Sequence, residues 1–184
     1  SHNMKQIILL GDSIRMGYEP HVRKALEGRA EVYGPNENGR WAGYTLNSLR
    51  FWLPQLPKEP DVIHWNNGLW DLGDDYHLGR PFSLPEEYIS ALERMITVLE
   101  KTFPTAKIVM ATTTPTANGD NEGIRSYNDI LKSVAAKHGF AVDDLYPIIE
   151  ADIPRFVCPD KIHLTADGWA AATAQVVASI EPYL

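Results

Sequence analysis

Short apolar runs alternate with helix-patterned stretches along the whole of this chain, and that alternation restricts its fold more than any other feature. Residues 5–10 (KQIILL), 30–33, 61–66 (DVIHWN), 107–112 and 140–142 read as strands. They are short, apolar and bounded by turn residues. Between them, 19–26 and 46–53 carry helical spacing, the second stopped by Pro54. Ser83-Leu84-Pro85-Glu86 reads as a capping box, with Ser83 as N-cap and Glu86 reaching back. The helix it opens sets Ile89, Leu92, Met95, Ile96, Leu99 and Phe103 on one face and ends at Pro104. Residues 124–138 form a helix closed by Gly139. Thr165 caps a last helix, with Leu164 and Trp169 at staple positions and Ala172, Val176 and Ile180 on its buried face.

A strand followed by a crossover helix and another strand builds a parallel sheet with helices on both faces. The expected class is therefore α/β, with a central sheet of about five strands. No repeat, linker or low-complexity tract divides the 184 residues, so 4–184 read as one domain. Ser1-His2-Asn3 read as a cloning remnant. In such sheets ligands gather beyond the carboxyl ends of the strands. The segments to read for chemistry are therefore 11–13, 36–43, 67–71 and 112–123.

Composition narrows the partners. Asp and Glu outnumber Lys and Arg by 24 to 17, a net charge of −7, which argues against nucleic acid or an anionic membrane. No apolar run is long enough to span a bilayer. The apolar segment after the start is shorter than the core of a signal peptide, so the reading is cytoplasmic, with a trimmed signal peptide as the alternative. Cys158 is the one cysteine, which leaves no intrachain disulfide and no thiolate metal cluster. Asp71, Asp74, Asp75 and His77 make a carboxylate-rich loop without recognisable ligand spacing, so neither a metal nor any other cofactor is expected.

The chemistry is read from two motifs far apart in the chain. In ILLGDSIRMGY, Ser13 follows the first strand and precedes helical sequence. A serine there is an N-cap or a nucleophile. In CPDKIHLTADGW, Asp160 lies three residues before His163. That spacing lets the carboxylate reach imidazole Nδ1, fix the tautomer and leave Nε2 to accept a serine proton. Either motif alone is weak; together, at one sheet end, they make an acyl-transfer site.

These two blocks, Gly11-Asp12-Ser13-Ile14 and Asp160-Lys161-Ile162-His163 with its trailing LTADGW, resemble the SGNH, or GDSL-like, hydrolase family over nearly the whole chain. The resemblance implies a three-layer α/β/α, flavodoxin-like fold and ester hydrolysis through Ser13, His163 and Asp160. It also implies an oxyanion hole made from the serine N–H, a glycine N–H of a second block and an asparagine amide of a third. The second block is NENGRWAGYT, where Gly39 is the first choice and Gly43 the second. The third departs from the family's Gly-x-Asn-Asp: Gly68-Leu69-Trp70-Asp71 puts Trp70 in the asparagine place. Asn66 or Asn67 is expected to supply the amide, with Asn66 favoured.

Trp41 and Trp70 are the candidate substrate-facing aromatics, while Trp52 and Trp65 read as core. Arg15 and Arg40 each follow a site block and are candidates to receive an anionic substrate group. His64 alternates with apolar strand residues and reads as a satisfied buried histidine. Thr112–Thr116 (TTTPT) resembles a site-wall loop of the family. The expected function is a serine esterase acting on small acyl esters, among them O-acetylated carbohydrate. The alternatives are lysophospholipase or thioesterase-type cleavage, and a ligand-binding member of the fold without turnover. An aspartyl phosphatase built on Asp12 is disfavoured by Ile14, where such enzymes carry a second aspartate. An α/β-hydrolase is disfavoured by the absence of G-x-S-x-G.

Overall fold

The computed structural model describes residues 4–118 and 121–184; the three residues read as a cloning remnant lie outside it. Five strands, β1 (Lys5–Gly11), β2 (Ala30–Tyr33), β3 (Val62–Asn66), β4 (Lys107–Ala111) and β5 (Ala141–Asp143), form one sheet in the order β2-β1-β3-β4-β5. Every neighbouring pair is parallel. The helices between them are α1 (Ser13–Ala25), α2 (Ala42–Trp52), α3 (Pro85–Thr102), α4 (Glu122–His138), α5 (Leu145–Glu150), α6 (Ile153–Phe156) and α7 (Ala166–Ile180).

Side chains alternate across each strand and so feed two separate cores. Ile8, Leu10, Ile63, Trp65 and Met110 pack with residues of α2, α3 and α4. Ile7, Leu9, Val62, Val109 and Ala111 pack on the other face with α1, α5 and α7. This is the three-layer α/β/α sandwich with flavodoxin-like strand order. Burial on both faces explains why the strands are almost continuously apolar. Strand order reverses between β1 and β3, where Gly11 lies in register with Asn66. That reversal opens a crevice beyond the strand ends.

Several local expectations shift. α1 begins at Ser13 rather than residue 19, because the Asp12 carboxylate accepts the Ile14 N–H at 2.9 Å and caps the helix there. α3 starts one residue later than the Ser83 box implies. Leu84 is its N-cap, and Glu87, not Glu86, accepts the Leu84 N–H at 2.8 Å. Ser83 instead donates its hydroxyl to Asp71 at 2.5 Å. Tyr88 takes the inward place on α3, and Ile89 is 41% exposed. Thr165 does cap α7, accepting the Gly168 N–H at 3.1 Å. The short helices α5 and α6 carry prolines and too little periodicity to be read from sequence. Among the described residues, no helix is long and apolar enough to cross a membrane.

One polar cluster is sealed beneath the sheet end. His64 and Asp143, both fully buried, are 2.7 Å apart through Nε2 and Oδ2. The carboxylate fixes the proton on Nε2, so Nδ1 accepts from the Tyr18 hydroxyl at 3.4 Å. Gln175 donates to the second Asp143 oxygen at 3.0 Å. His64 is the satisfied core histidine its strand position indicates.

Candidate active site

The two distant motifs meet. Ser13 is the first residue of α1, delivered by Gly11 at the end of β1. Gly11 has φ +155°, and a Cβ there would lie 2.6 Å from the Asn66 carbonyl oxygen, so only glycine fits this tight exit from the strand. His163 Nε2 lies 2.9 Å from Ser13 Oγ, and His163 Nδ1 lies 2.6 Å from Asp160 Oδ2. A carboxylate only accepts, so the imidazole proton sits on Nδ1 and Ser13 Oγ–H donates to Nε2.

The loop bearing Asp160 is held from several sides. Val157 and Leu164 form an antiparallel bridge across it, and Cys158 N–H donates to the His163 carbonyl at 2.7 Å. Ala117 N–H donates to the Lys161 carbonyl at 2.8 Å, tying it to the loop after β4. Asp160 Oδ1 accepts the N–H groups of Ile162 and His163, each at 2.9 Å. Those bonds, the Ile162 N–H first and then the His163 side chain and N–H, hold the Asp160 carboxyl at about 2. It is therefore ionised at neutral pH.

Asp12, next to Ser13, behaves in the opposite way. Burial pushes its carboxyl up to about 6, against the Ile14 N–H and the nearby Arg15 charge. Asp71 is likewise raised to about 6 by burial, against the hydroxyl of Ser83 and the N–H of Ala42.

Ser13 and His163 open on a cavity of about 610 Å³ whose walls include Asn38, Trp70, Phe82 and Thr116. Thr116 comes from the TTTPT segment; its first three threonines are buried. Trp70 lies on the wall as expected. Trp41 does not reach the cavity: it stacks on Phe82 at 5.3 Å between ring centroids and borders a neighbouring groove with Gly43 and Asn47. Gly43 sits in the first turn of α2 on that same outer side.

Neither arginine lines the cavity. Arg15 is 1% exposed and spends its guanidinium inside the protein. It donates to the carbonyls of Gly11 at 3.3 Å, Pro35 at 2.9 Å and Glu37 at 2.6 Å, and pairs with Glu19 at 2.9 Å. Arg15 thus holds the second block in place. Arg40 lies over the Tyr44 ring, 4.6 Å from its centroid, and is not part of the cavity wall.

The expected oxyanion donors are also committed elsewhere. Gly39 N–H donates to the Gly11 carbonyl at 2.9 Å. Asn66 is buried on the α1 face of the sheet and donates to the Tyr18 hydroxyl at 3.3 Å. Asn67 uses both amide protons, on the Arg40 carbonyl at 3.1 Å and Thr45 Oγ1 at 3.2 Å, while its oxygen accepts from Trp65 Nε1 at 2.6 Å. Asn66 thereby ties the end of β3 to α1, and Asn67 ties it to the second block. Sequence reading passed over Asn38, inside the quoted second block, and Phe82. The Asn-Gly pair was the available signal, since it marks a tight loop with a polar side chain on it.

A family model described as GDSL-like Lipase/Acylhydrolase family matches residues 9–171. The chain belongs to that family. This GDSL-like hydrolase is by class a carboxylic ester hydrolase. Solved structures share its fold over nearly all of both chains. An acetyl xylan esterase, AlAXEase, superposes with a TM-score of 0.79 at 18% identity, covering 95% of this chain and 99% of the other. A lipase/acylhydrolase from Enterococcus faecalis gives 0.79 at 19% identity, with 97% and 96% covered. A member of the lipolytic protein G-D-S-L family from Veillonella parvula gives 0.75 at 20% identity, with 98% and 100% covered. No curated protein sequence matches the chain. Among the described residues no group of three or more His, Cys, Asp or Glu is placed to hold a metal ion. The Asp74 carboxylate is taken up by the N–H groups of Leu78 and Gly79.

Proposed function

We propose that this GDSL-like hydrolase removes small acyl groups by a serine acyl-enzyme route, and that O-acetylated carbohydrate is the substrate class it fits best. The observation that carries the reading is the unbroken hydrogen-bonded line from Asp160 through His163 to Ser13, ending in an open cavity. Ser13 Oγ attacks the ester carbonyl carbon while Nε2 of His163 takes its proton. Asp160 holds the imidazole and offsets the charge it gains. The tetrahedral intermediate collapses, the C–O bond to the alcohol breaks, and the imidazolium returns the proton to the leaving oxygen. Water, deprotonated by the same imidazole, then attacks the acyl-enzyme and releases the acid.

The preference for a sugar ester rests on Trp70 and Phe82, whose rings wall the cavity within reach of each other at 6.1 Å between centroids. Flat apolar faces of this kind suit the C–H face of a pyranose. An acetyl xylan esterase among the fold relatives is in keeping with that choice. The single cysteine suits a cytoplasmic setting.

The test is a screen of acyl donors with the purified protein and with Ser13→Ala beside it. Acetylated xylo-oligosaccharide and p-nitrophenyl acetate are expected to be hydrolysed, long-chain esters slowly or not at all. Ser13→Ala is expected to lose several orders of magnitude with the fold intact. Equal rates in the two proteins would remove the nucleophile assignment.

A further inference from the structure

We propose that the side-chain amide of Asn38, from the second block, donates to the oxyanion in place of the third-block asparagine that this chain lacks. The inference rests on the acyl-enzyme reading above and adds a residue to it.

The argument begins with what the site needs. A tetrahedral oxyanion held only by the Ser13 N–H lacks the further fixed donors that usually stabilise it. Trp70 stands in the asparagine place, and Gly39, Asn66 and Asn67 direct their donors at protein oxygens. Asn38 and Asn118 both share a cavity wall with Ser13 and His163; Asn38 is the one on the segment fastened beside the nucleophile, through the Gly39 N–H on the Gly11 carbonyl.

The orientation of the Asn38 amide follows from one bond. Its Oδ1 accepts the Arg40 N–H at 2.8 Å. A backbone N–H requires an acceptor, so the oxygen end is fixed and the NH2 end must turn the other way. Among the described residues no protein group accepts from that NH2. It is a half-buried donor, on a wall shared with the attacking hydroxyl.

The segment around Asn38 is unusually well held. Arg15 takes the carbonyls of Pro35 and Glu37, and the Glu37 carboxylate accepts from Tyr44 and, at 2.9 Å, from Trp52 Nε1. Gly39 is pressed onto Gly11, so close that a Cβ on it would lie 2.6 Å from the Gly11 oxygen. Arg40 adopts φ +54°, a left-handed conformation that completes the turn capped by Asn38. Donors fixed before substrate arrives need no reorganisation during reaction, which is what makes an oxyanion site effective.

The test uses Asn38→Ala, Asn38→Asp and Trp70→Phe, assayed on p-nitrophenyl acetate. Asn38→Asp keeps an oxygen for the Arg40 N–H and removes the donor. Both Asn38 variants are expected to lose about 100- to 1000-fold in kcat with little change in KM. Inhibition by a boronic acid, whose serine adduct is tetrahedral, is expected to weaken in step with kcat/KM. Asn38→Asp is expected to keep the parent melting temperature. Three results overturn the inference: parent-like kcat in both Asn38 variants, loss in Asn38→Ala that Asn38→Asp restores, or a comparable loss in Trp70→Phe alone, which makes the indole N–H the donor. In each case a parent that still needs Ser13 leaves the esterase reading standing. A parent that cleaves none of the esters ends both.

Discussion

The backbone N–H of Gly39 donates to the carbonyl oxygen of Gly11 at 2.9 Å, fastening the second loop of the site directly onto the residue two before Ser13. Both partners are glycines because neither position has room for a Cβ. Gly39→Ala is expected to push the loop off the end of β1. Overpacking of this kind costs about 1–3 kcal/mol of stability. It should also lower kcat on a small ester more than it raises KM, because the displaced parts are those around the reacting atoms. Chemical denaturation and steady-state kinetics on the same sample measure both.

Arg15→Lys is expected to act on stability, not on recognition. An ammonium cannot reproduce the fork that takes the Pro35 and Glu37 carbonyls and the Glu19 carboxylate. Breaking such a buried charged network costs about 3 kcal/mol or more. The melting temperature should fall, and KM should change no more for anionic esters than for neutral ones. A KM effect restricted to anionic esters would restore Arg15 as a substrate contact.

Asp160→Asn should leave the fold in place and cut kcat on the order of 10³- to 10⁴-fold, because the amide no longer fixes the imidazole tautomer. The carboxyl is held at about 2, so Asp160 stays charged from pH 4 upwards. Any acid limb of the parent's pH–rate profile above pH 4 therefore belongs to another group. An acid limb above pH 4 that vanishes from the residual activity of Asp160→Asn contradicts this assignment.

Stability should depend on pH through Asp71. Folding raises its carboxyl from 3.8 to about 6, so the folded state holds the proton more tightly than the unfolded chain. Its stabilising contribution is complete below pH 4 and is lost as pH rises to 6. The parent is expected to melt higher at pH 5 than at pH 7, and Asp71→Asn should show less of that difference. Asp12, raised likewise, adds to the same window. Melting curves across pH 4–8 for both proteins check the sign.

Much of this was legible in the sequence. Strand–helix alternation fixed the layered architecture because parallel strands must be joined through crossovers. Ser13, Asp160 and His163 stood out because each belongs to a short motif whose residues act on one another locally. The rest was not legible, for a common reason. Nearness in sequence to site blocks points Arg15, Asn66 and Asn67 at the substrate. Their actual partners, Pro35, Tyr18 and Thr45, come from other segments and satisfy local donor and acceptor needs. The part proposed for Asn38 depends on which way an amide turns, and that is set by the Arg40 N–H. The start of α3 slipped by one residue for a similar reason: Asp71 competes for the Ser83 hydroxyl.

Ser13, the proposed nucleophile, lies at the start of α1, and His163, its proposed base, just before α7, the last long helix, which packs against α1. During synthesis, then, a growing polypeptide exposes Ser13 early and carries it as an ordinary alcohol until the closing segment leaves the ribosome and docks. Hydrolytic power would arrive as a late step of maturation, and a chain released short of residue 160 would be inert towards esters however well its sheet had formed.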